Sequence, residues 1–334
     1  MTLWRTVKVI ATRLGERLLV LFIIATILFF MFRLMPGSPL VAYISPTFTG
    51  EQQAALMKSF GLDKPLPVQY VIYMGNLVRG DLGRSFFYKK PVAELMGELL
   101  PNTLMLTVIP LLIAYSFGVM AGTVLAWRRG SRVEGVGIIY TLISRSAPEF
   151  WVGMLLLTLF AFRLNWFPAS GATSPGVIYP DFLHQFFSRD FWKHLVLPAL
   201  TMAFYLQGLP LLLMRSNMLD VLEEDFVTMA RMKGISEWRV VLRHAARNAM
   251  LPVATAMALG IGYTIGGDVV VETIFSWPGL GRMLVRAVAN RDYPLAQGAF
   301  FVLAALMVLM NLVADLMYYA LDPRVGRSSK ESTS

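Results

Sequence analysis

The sequence predicts an all-α membrane protein with six transmembrane helices, and three observations carry that prediction. The 334 residues are 56% hydrophobic and only 15% charged, where soluble domains carry about a quarter. The apolar residues gather into runs that approach or exceed the roughly 20 residues a helix needs to cross a bilayer. The remaining Lys and Arg fall unevenly among the connections between those runs.

The first run, residues 18–32, follows a basic flank of Arg5, Lys8, Arg13 and Arg17. Arg33 can snorkel, which lets the helix continue to Met35. A signal peptide has a similar flank, but the exit RLMPGSP (33–39) lacks a small-x-small cleavage site, so the segment reads as a retained helix. Residues 103–127 form the second span and contain no charge. The third, about 135–162, is interrupted by Arg145, Pro148 and Glu149. Residues 195–214, 249–267 and 295–314 complete the six.

Orientation follows from short-loop charge. With the N-terminus inside, inner segments hold the four flank cations, then Arg128, Arg129 and Arg132, then six cations in 215–249, and finally Arg324, Arg327 and Lys330. Short outer loops hold Arg163, Arg189, Lys193, Arg282, Arg286 and Arg291. The bias places both termini in the cytoplasm. The tail GRSSKESTS is polar and reads as disordered.

Composition also excludes chemistry. There is no cysteine, hence no disulfide, thiol nucleophile or Cys-based metal site. His184, His194 and His244 are too dispersed to form a local metal-ligand pattern. An intramembrane serine protease would need a general base inside a span. The histidines instead flank the spans with no evident serine partner, and G-x-S-x-G is absent. No G-x4-G-K-[ST] is present to cradle ATP phosphates, and no bound cofactor is expected.

The densest basic run, TMARMKGISEWRVVLRHAARNAMLP (228–252), lies between two apolar spans. Glu223, Glu224 and Asp225 precede it and Arg231 and Lys233 close its first helix, an order that suits the helix dipole. Gly234 reads as the C-cap and Ser236 as the N-cap of the next helix. That helix would set Trp238, Val241, Leu242 and Ala245 on one stripe and Arg239, Arg243 and Arg247 on the other face, with Pro252 opening the next span. Three readings compete for this element: a basic loop on anionic headgroups, a DNA-binding helix-turn-helix, and a rigid docking helix for a cytoplasmic partner. Both ends enter the membrane within a few residues, which argues against nucleic acid.

The third reading gains from a resemblance. Ala230-Arg231-Met232-Lys233-Gly234 resembles the A-x3-G core of the coupling loop in ATP-binding cassette importer permeases, with Thr228-Met229-Ala230 similar to the T-x-A form of the peptide-importer branch. RLMPGSP (33–39) is similar to that branch's R-L-x-P-G-D-P, with Ser38 in place of Asp. GLDKPLPVQY (61–70), GDLGRS (80–85), VVVETIFSWPGLGR (269–282), NRDYPL (290–295) and NLVADLMYYALDPR (311–324) extend the likeness over nearly the whole chain. The chain thus resembles the dipeptide, oligopeptide and nickel permease family, in the subunit type with a long outer segment.

The resemblance implies a type I importer permease core in a prokaryotic inner membrane. The implied divisions are an N-terminal helix with an extracytoplasmic segment (1–98), a five-helix core (99–319) with its coupling loop at about 220–250, and a cytoplasmic tail (320–334). Implied partners are a second, homologous permease, two ATP-binding subunits and an extracytoplasmic solute-binding protein, with the lipid bilayer around them. Thr228, Met229, Ala230, Lys233 and Gly234 would couple to the ATPase. Such a subunit transports and leaves hydrolysis to its partners.

SRSAPEFWVG (144–153) is similar to the family's S-x-P-x-F-x-x-G segment, with Arg145 and Glu149 as unusual charges. Charge at depth marks a translocation-path candidate. The alternative reading pairs the two with each other across Pro148 or places them near a membrane edge. Asp268 is a further path candidate, or an interface residue. Glu272 reads equally as a gate residue or a solvated loop residue. Trp151, Trp166, Trp192 and Trp277 read as interfacial anchors. Gly260, Gly262, Gly266 and Gly267 read as packing residues. The expected cargo is a di- or oligopeptide; nickel chelates and sugar- or opine-like solutes remain alternatives, as does a stand-alone carrier.

Overall fold

The computed structural model describes residues 3–34, 63–264 and 269–321. The expectations on Ser38, Gly266, Gly267, Asp268 and the 322–334 tail lie outside these residues. Among the described residues the regular structure is helical: α1 (Leu3–Arg33), α2 (Leu66–Val78), α3 (Val92–Trp127), α4 (Arg132–Ser146), α5 (Glu149–Leu156, prolonged by a π-helical turn, Leu157–Arg163), α6 (Phe182–Phe186), α7 (Arg189–Leu206), α8 (Gly208–Leu222), α9 (Asp225–Met232), α10 (Glu237–Arg239, prolonged by a π-helical turn, Val240–Ala245), α11 (Ala246–Thr264), α12 (Val269–Ile274), α13 (Leu280–Ala289) and α14 (Tyr293–Leu321).

Among the described residues, three helical stretches are long and apolar enough to cross a membrane: Thr12–Arg33, Val92–Trp127 and Tyr293–Asp315. The α7–α8 pair, bent by 43°, meets the same length and composition test when taken as one span. The bend has a local cause, since Pro210 cannot donate its missing N–H to the preceding turn. The expected third span is broken where Ala147 turns extended before Pro148 (ψ 128°), the conformation that a following proline imposes. Pro252 does not open the fifth span as expected. It lies inside α11, which starts six residues earlier at Ala246.

The chain forms two compact units: one of residues 1–103 and 278–309, the other of 104–277 and 310–334. In the first, α1 buries Ala25, Leu28, Phe29 and Phe32, the i, i+3, i+4, i+7 stripe of an amphipathic helix. Phe29 meets Tyr70 edge-on at 5.3 Å, and the Tyr70 hydroxyl shares a 2.8 Å hydrogen bond with Thr26 Oγ1. A cavity of about 180 Å³ in this unit is lined by Phe32, Arg33, Gln69, Tyr73, Arg84 and Gln297, none of them a predicted site residue.

The second unit has two cores. One gathers Leu106, Leu157, Phe191, Leu195, Phe275 and Trp277. The other gathers Tyr115, Met214, Met218, Val227, Val241 and Val253. Gly118 and Gly122 let α3 approach α8 closely: a Cβ on Gly122 would lie 2.5 Å from the Leu211 carbonyl oxygen and 2.8 Å from Met214 Cβ.

Candidate functional site

The basic run folds as a helix, a left-handed glycine turn and a second helix. Val227 (0% exposed) and Ala230 (6%) anchor α9 in the core beside Met214 and Met218. Burying Val227 alone stabilises by about 2 kcal/mol. The other face is open: Thr228, Arg231, Lys233 and Gly234 are exposed, and Met229 and Met232 are 54% and 77% exposed.

Gly234 adopts φ +74°. Its amide donates to the Arg231 carbonyl at 2.9 Å, and the Ile235 amide donates to the Ala230 carbonyl at 3.3 Å. These are the two bonds of a Schellman C-cap, and Ile235 packs on the same core as Ala230. The turn is therefore a fixed corner, closed from outside by Arg231, which donates from Nε to Glu237 Oε2 (3.2 Å) and from Nη2 to Oε1 (2.9 Å). The Glu237 carboxylate raises the Arg231 guanidinium above its ordinary pKa.

Two details of the second helix differ from expectation. Ser236 holds the N-cap position, but its side chain makes no capping bond. The π-helical turn at Val240–Ala245 inserts one extra residue into the helical repeat. The buried set becomes Val240, Val241, Ala245, Ala246 and Ala249, while Trp238 and Leu242 are turned out at 55% and 44% exposure. Arg239, Arg243 and Arg247 are exposed as expected.

The path candidates fall at the broken third span. Arg145 lies in the last turn of α4 and Glu149 is the first residue of α5, with Pro148 capping between them. The Arg145 stem packs on Gly208 at the α7–α8 bend, where a Cβ would come 2.5 Å from Arg145 Cγ. Arg145 and Pro148 are exposed and Glu149 is half-buried. Beside them Tyr140, Gln207 and Phe204 interlock, Gln207 donating to the Tyr140 hydroxyl.

Three side chains are more buried than the sequence reading expects. Glu272 is 1% exposed on α12, which overturns the solvated-loop alternative. Trp277 is fully buried against Phe191 at 5.6 Å rather than anchored at an interface. His194 lies inside α7, 4% exposed, and does meet a serine's neighbour. Asp190 accepts from Ser174 Oγ and from the Ser174 amide, both at 2.7 Å, and its backbone carbonyl lies 2.8 Å from His194 Nδ1. The serine hydroxyl donates to the carboxylate and not to an imidazole, so this cluster is a loop clamp and not a nucleophile.

Among the described residues no cluster of His, Asp or Glu has the makings of a metal site. Two family models match in tandem. Residues 6–107 match the N-terminal membrane component of binding-protein-dependent transport systems, and residues 118–327 match the binding-protein-dependent transport system inner membrane component. The chain belongs to this inner-membrane permease family. The permease is 38% identical to the di/tripeptide transport system permease protein DppB of Pseudomonas aeruginosa, over 95% of this chain and 98% of that one. It is 37% identical to the glutathione transport system permease protein GsiC of Salmonella choleraesuis, over 91% and 94%. As a permease subunit of an ATP-binding cassette importer, it works with partner ATPase and membrane subunits.

Sequence reasoning missed a buried acid with several hydrogen-bond donors around it. Asp292, 0% exposed, caps α14 by accepting from the Leu295 amide at 3.3 Å. It also accepts from Ser85 Oγ (2.5 Å) and from the Phe86 (3.1 Å) and Phe87 (3.0 Å) amides. An Asp before a helix signals only the cap. The GVMAG motif at 118–122 did carry a readable small-x-x-x-small signal.

Proposed function

We propose that this permease is one half of a two-permease pore that imports di- or oligopeptides, driven by two ATP-binding subunits and loaded by an extracytoplasmic binding protein. It has six spans with both termini in the cytoplasm, residues 1–98 forming an N-terminal module and 99–319 the core. The peptide assignment is supported by the relatives named for di/tripeptide and glutathione transport. The orientation is supported by the excess of Lys and Arg on the assigned inner side.

Within that pore Thr228–Gly234 couples ATPase closure to the spans. The carrying observation is the geometry of α9: Val227 and Ala230 lock it into the core while Met229 and Met232 face outward beyond a fixed corner. A short helix on a rigid mount that presents two exposed methionines among polar side chains suits a groove. It also transmits a push from the ATPase as rigid-body rocking. Because the chain has no cysteine, Thr228→Cys or Met232→Cys gives a single thiol. That thiol, alkylated with benzophenone-4-maleimide and irradiated in native membranes, is expected to cross-link to an ATPase subunit. Efficient assembly with no cross-link from either position would exclude this seat.

Arg145 and Glu149 line the path, where a guanidinium receives the carboxylate of a peptide and a carboxylate its ammonium. Glu149→Gln and Arg145→Met should each reduce uptake while leaving assembly unchanged. Full uptake in both single variants would return these residues to a structural role.

A further inference from the structure

The structure also presents a basic, aromatic surface patch that the coupling reading does not use. Residues 103–127 run without a charge, and Arg128 and Arg129 follow immediately, so α3 meets the membrane boundary within a turn of Trp127. Tryptophan favours that boundary. The Trp127 ring meets the Trp238 ring at 5.8 Å and 55°, which ties the depth of α10 to the same level. Trp238 is nevertheless 55% exposed. Arg128 lies over the Trp127 ring at 5.2 Å, a stacking that leaves the edge of its guanidinium free to donate.

The acids nearby are spoken for by other cations. Glu223 pairs with Arg129, Glu134 with Arg215 and Glu237 with Arg231. Among the described residues no carboxylate pairs with Arg128, Arg239 or Arg243, and all three are exposed. Cations without acids, set beside an exposed tryptophan at headgroup depth, fit a phosphodiester whose acyl chains run down the adjoining helices.

We propose that Trp127, Arg128, Trp238 and Arg239 form a binding site for an anionic phospholipid. The site braces α10, and through it the Gly234 corner, against the membrane. It depends on the membrane exit after Trp127 and not on the identity of the cargo.

The test uses the intact transporter, purified with its partner subunits in mild detergent and exchanged into mixtures of phosphatidylglycerol and phosphatidylcholine. Native mass spectrometry then counts the lipids retained. Wild type is expected to keep phosphatidylglycerol in preference to phosphatidylcholine. Arg128→Gln/Arg239→Gln should lose that preference about thirtyfold. Arg129→Gln, which removes a cation already paired with Glu223, should retain it. Yield of the ATPase subunits reports assembly, and α9 is untouched, so failure of the coupling reading stays separate. Equal retention by wild type and the double variant overturns the proposal. So does retention without headgroup preference, which would mark the retained lipid as a non-specific annulus.

Discussion

Arg231 and Glu237 join across the left-handed Gly234 corner by two hydrogen bonds, from Nε at 3.2 Å and from Nη2 at 2.9 Å. Both side chains are more than 40% exposed, so the pair contributes at most about 1 kcal/mol. The Schellman bonds beneath it and the burial of Val227 and Ala230 hold the corner.

A substitution at Gly234 tests that ranking. A Cβ there would meet no atom within 4 Å, so any cost comes from φ +74° alone. Gly234→Asn should be tolerated, because asparagine visits the left-handed region. Gly234→Val should strain the corner by about 2 kcal/mol and uncouple ATP hydrolysis from uptake in reconstituted vesicles. Equal behaviour of the two variants would remove the corner from the coupling mechanism.

Asp292 is expected to be a stability hub of the first unit. Its carboxylate accepts from Ser85, Phe86, Phe87 and Leu295 with no exposure to water. Asp292→Ala leaves those donors unsatisfied and should cost about 3 kcal/mol. Limited proteolysis would show it as faster cleavage within 84–91.

Gly122 and Gly75 should respond in opposite directions to alanine. At Gly122 the new carbon strikes the Leu211 carbonyl oxygen at 2.5 Å, and the backbone has to move. At Gly75, within α2, nothing lies within 4 Å. Gly122→Ala should lower the melting temperature in detergent. Gly75→Ala should leave it unchanged or raise it by the equivalent of about 0.5–1 kcal/mol.

Glu134 sets a pH dependence of defined sign. Its carboxylate accepts from Arg215 Nε at 2.9 Å and from the Gly130 amide at 2.6 Å. The Arg215 hydrogen bond, followed by that of Gly130, holds its pKa below the ordinary 4.5. Because the folded value is depressed, the stabilisation is complete above the unfolded pKa and is lost as pH falls through the folded one. The melting difference between wild type and Glu134→Gln should therefore be constant from about pH 6 to pH 8 and shrink in acid. A difference that changes within the neutral range would assign the pair to another titrating group.

Features set by neighbours in the chain were legible before any tertiary contact was known. Gly234 read as a C-cap because a helix ending in Arg231 and Lys233 needs a left-handed residue next. The interruption of the third span was legible in Arg145, Pro148 and Glu149, and the structure breaks the helix at Ala147, before Pro148. The stripe after Ser236 was misread, since a π-helical turn is chosen by packing Val240, Val241 and Ala245 into one core rather than by residue type.

The sequence by itself determined the membrane class, the apolar runs, the glycine corner and the family, because each rests on composition or on spacing within a few residues. Tertiary structure decided that Trp277 and Glu272 are buried, that Asp190 serves Ser174 and His194, and that Asp292 reaches Ser85 across more than two hundred residues. The physical reason is that burial and hydrogen-bond satisfaction belong to pairs of groups. The partner's position is set by how helices pack and not by the residue that needs it.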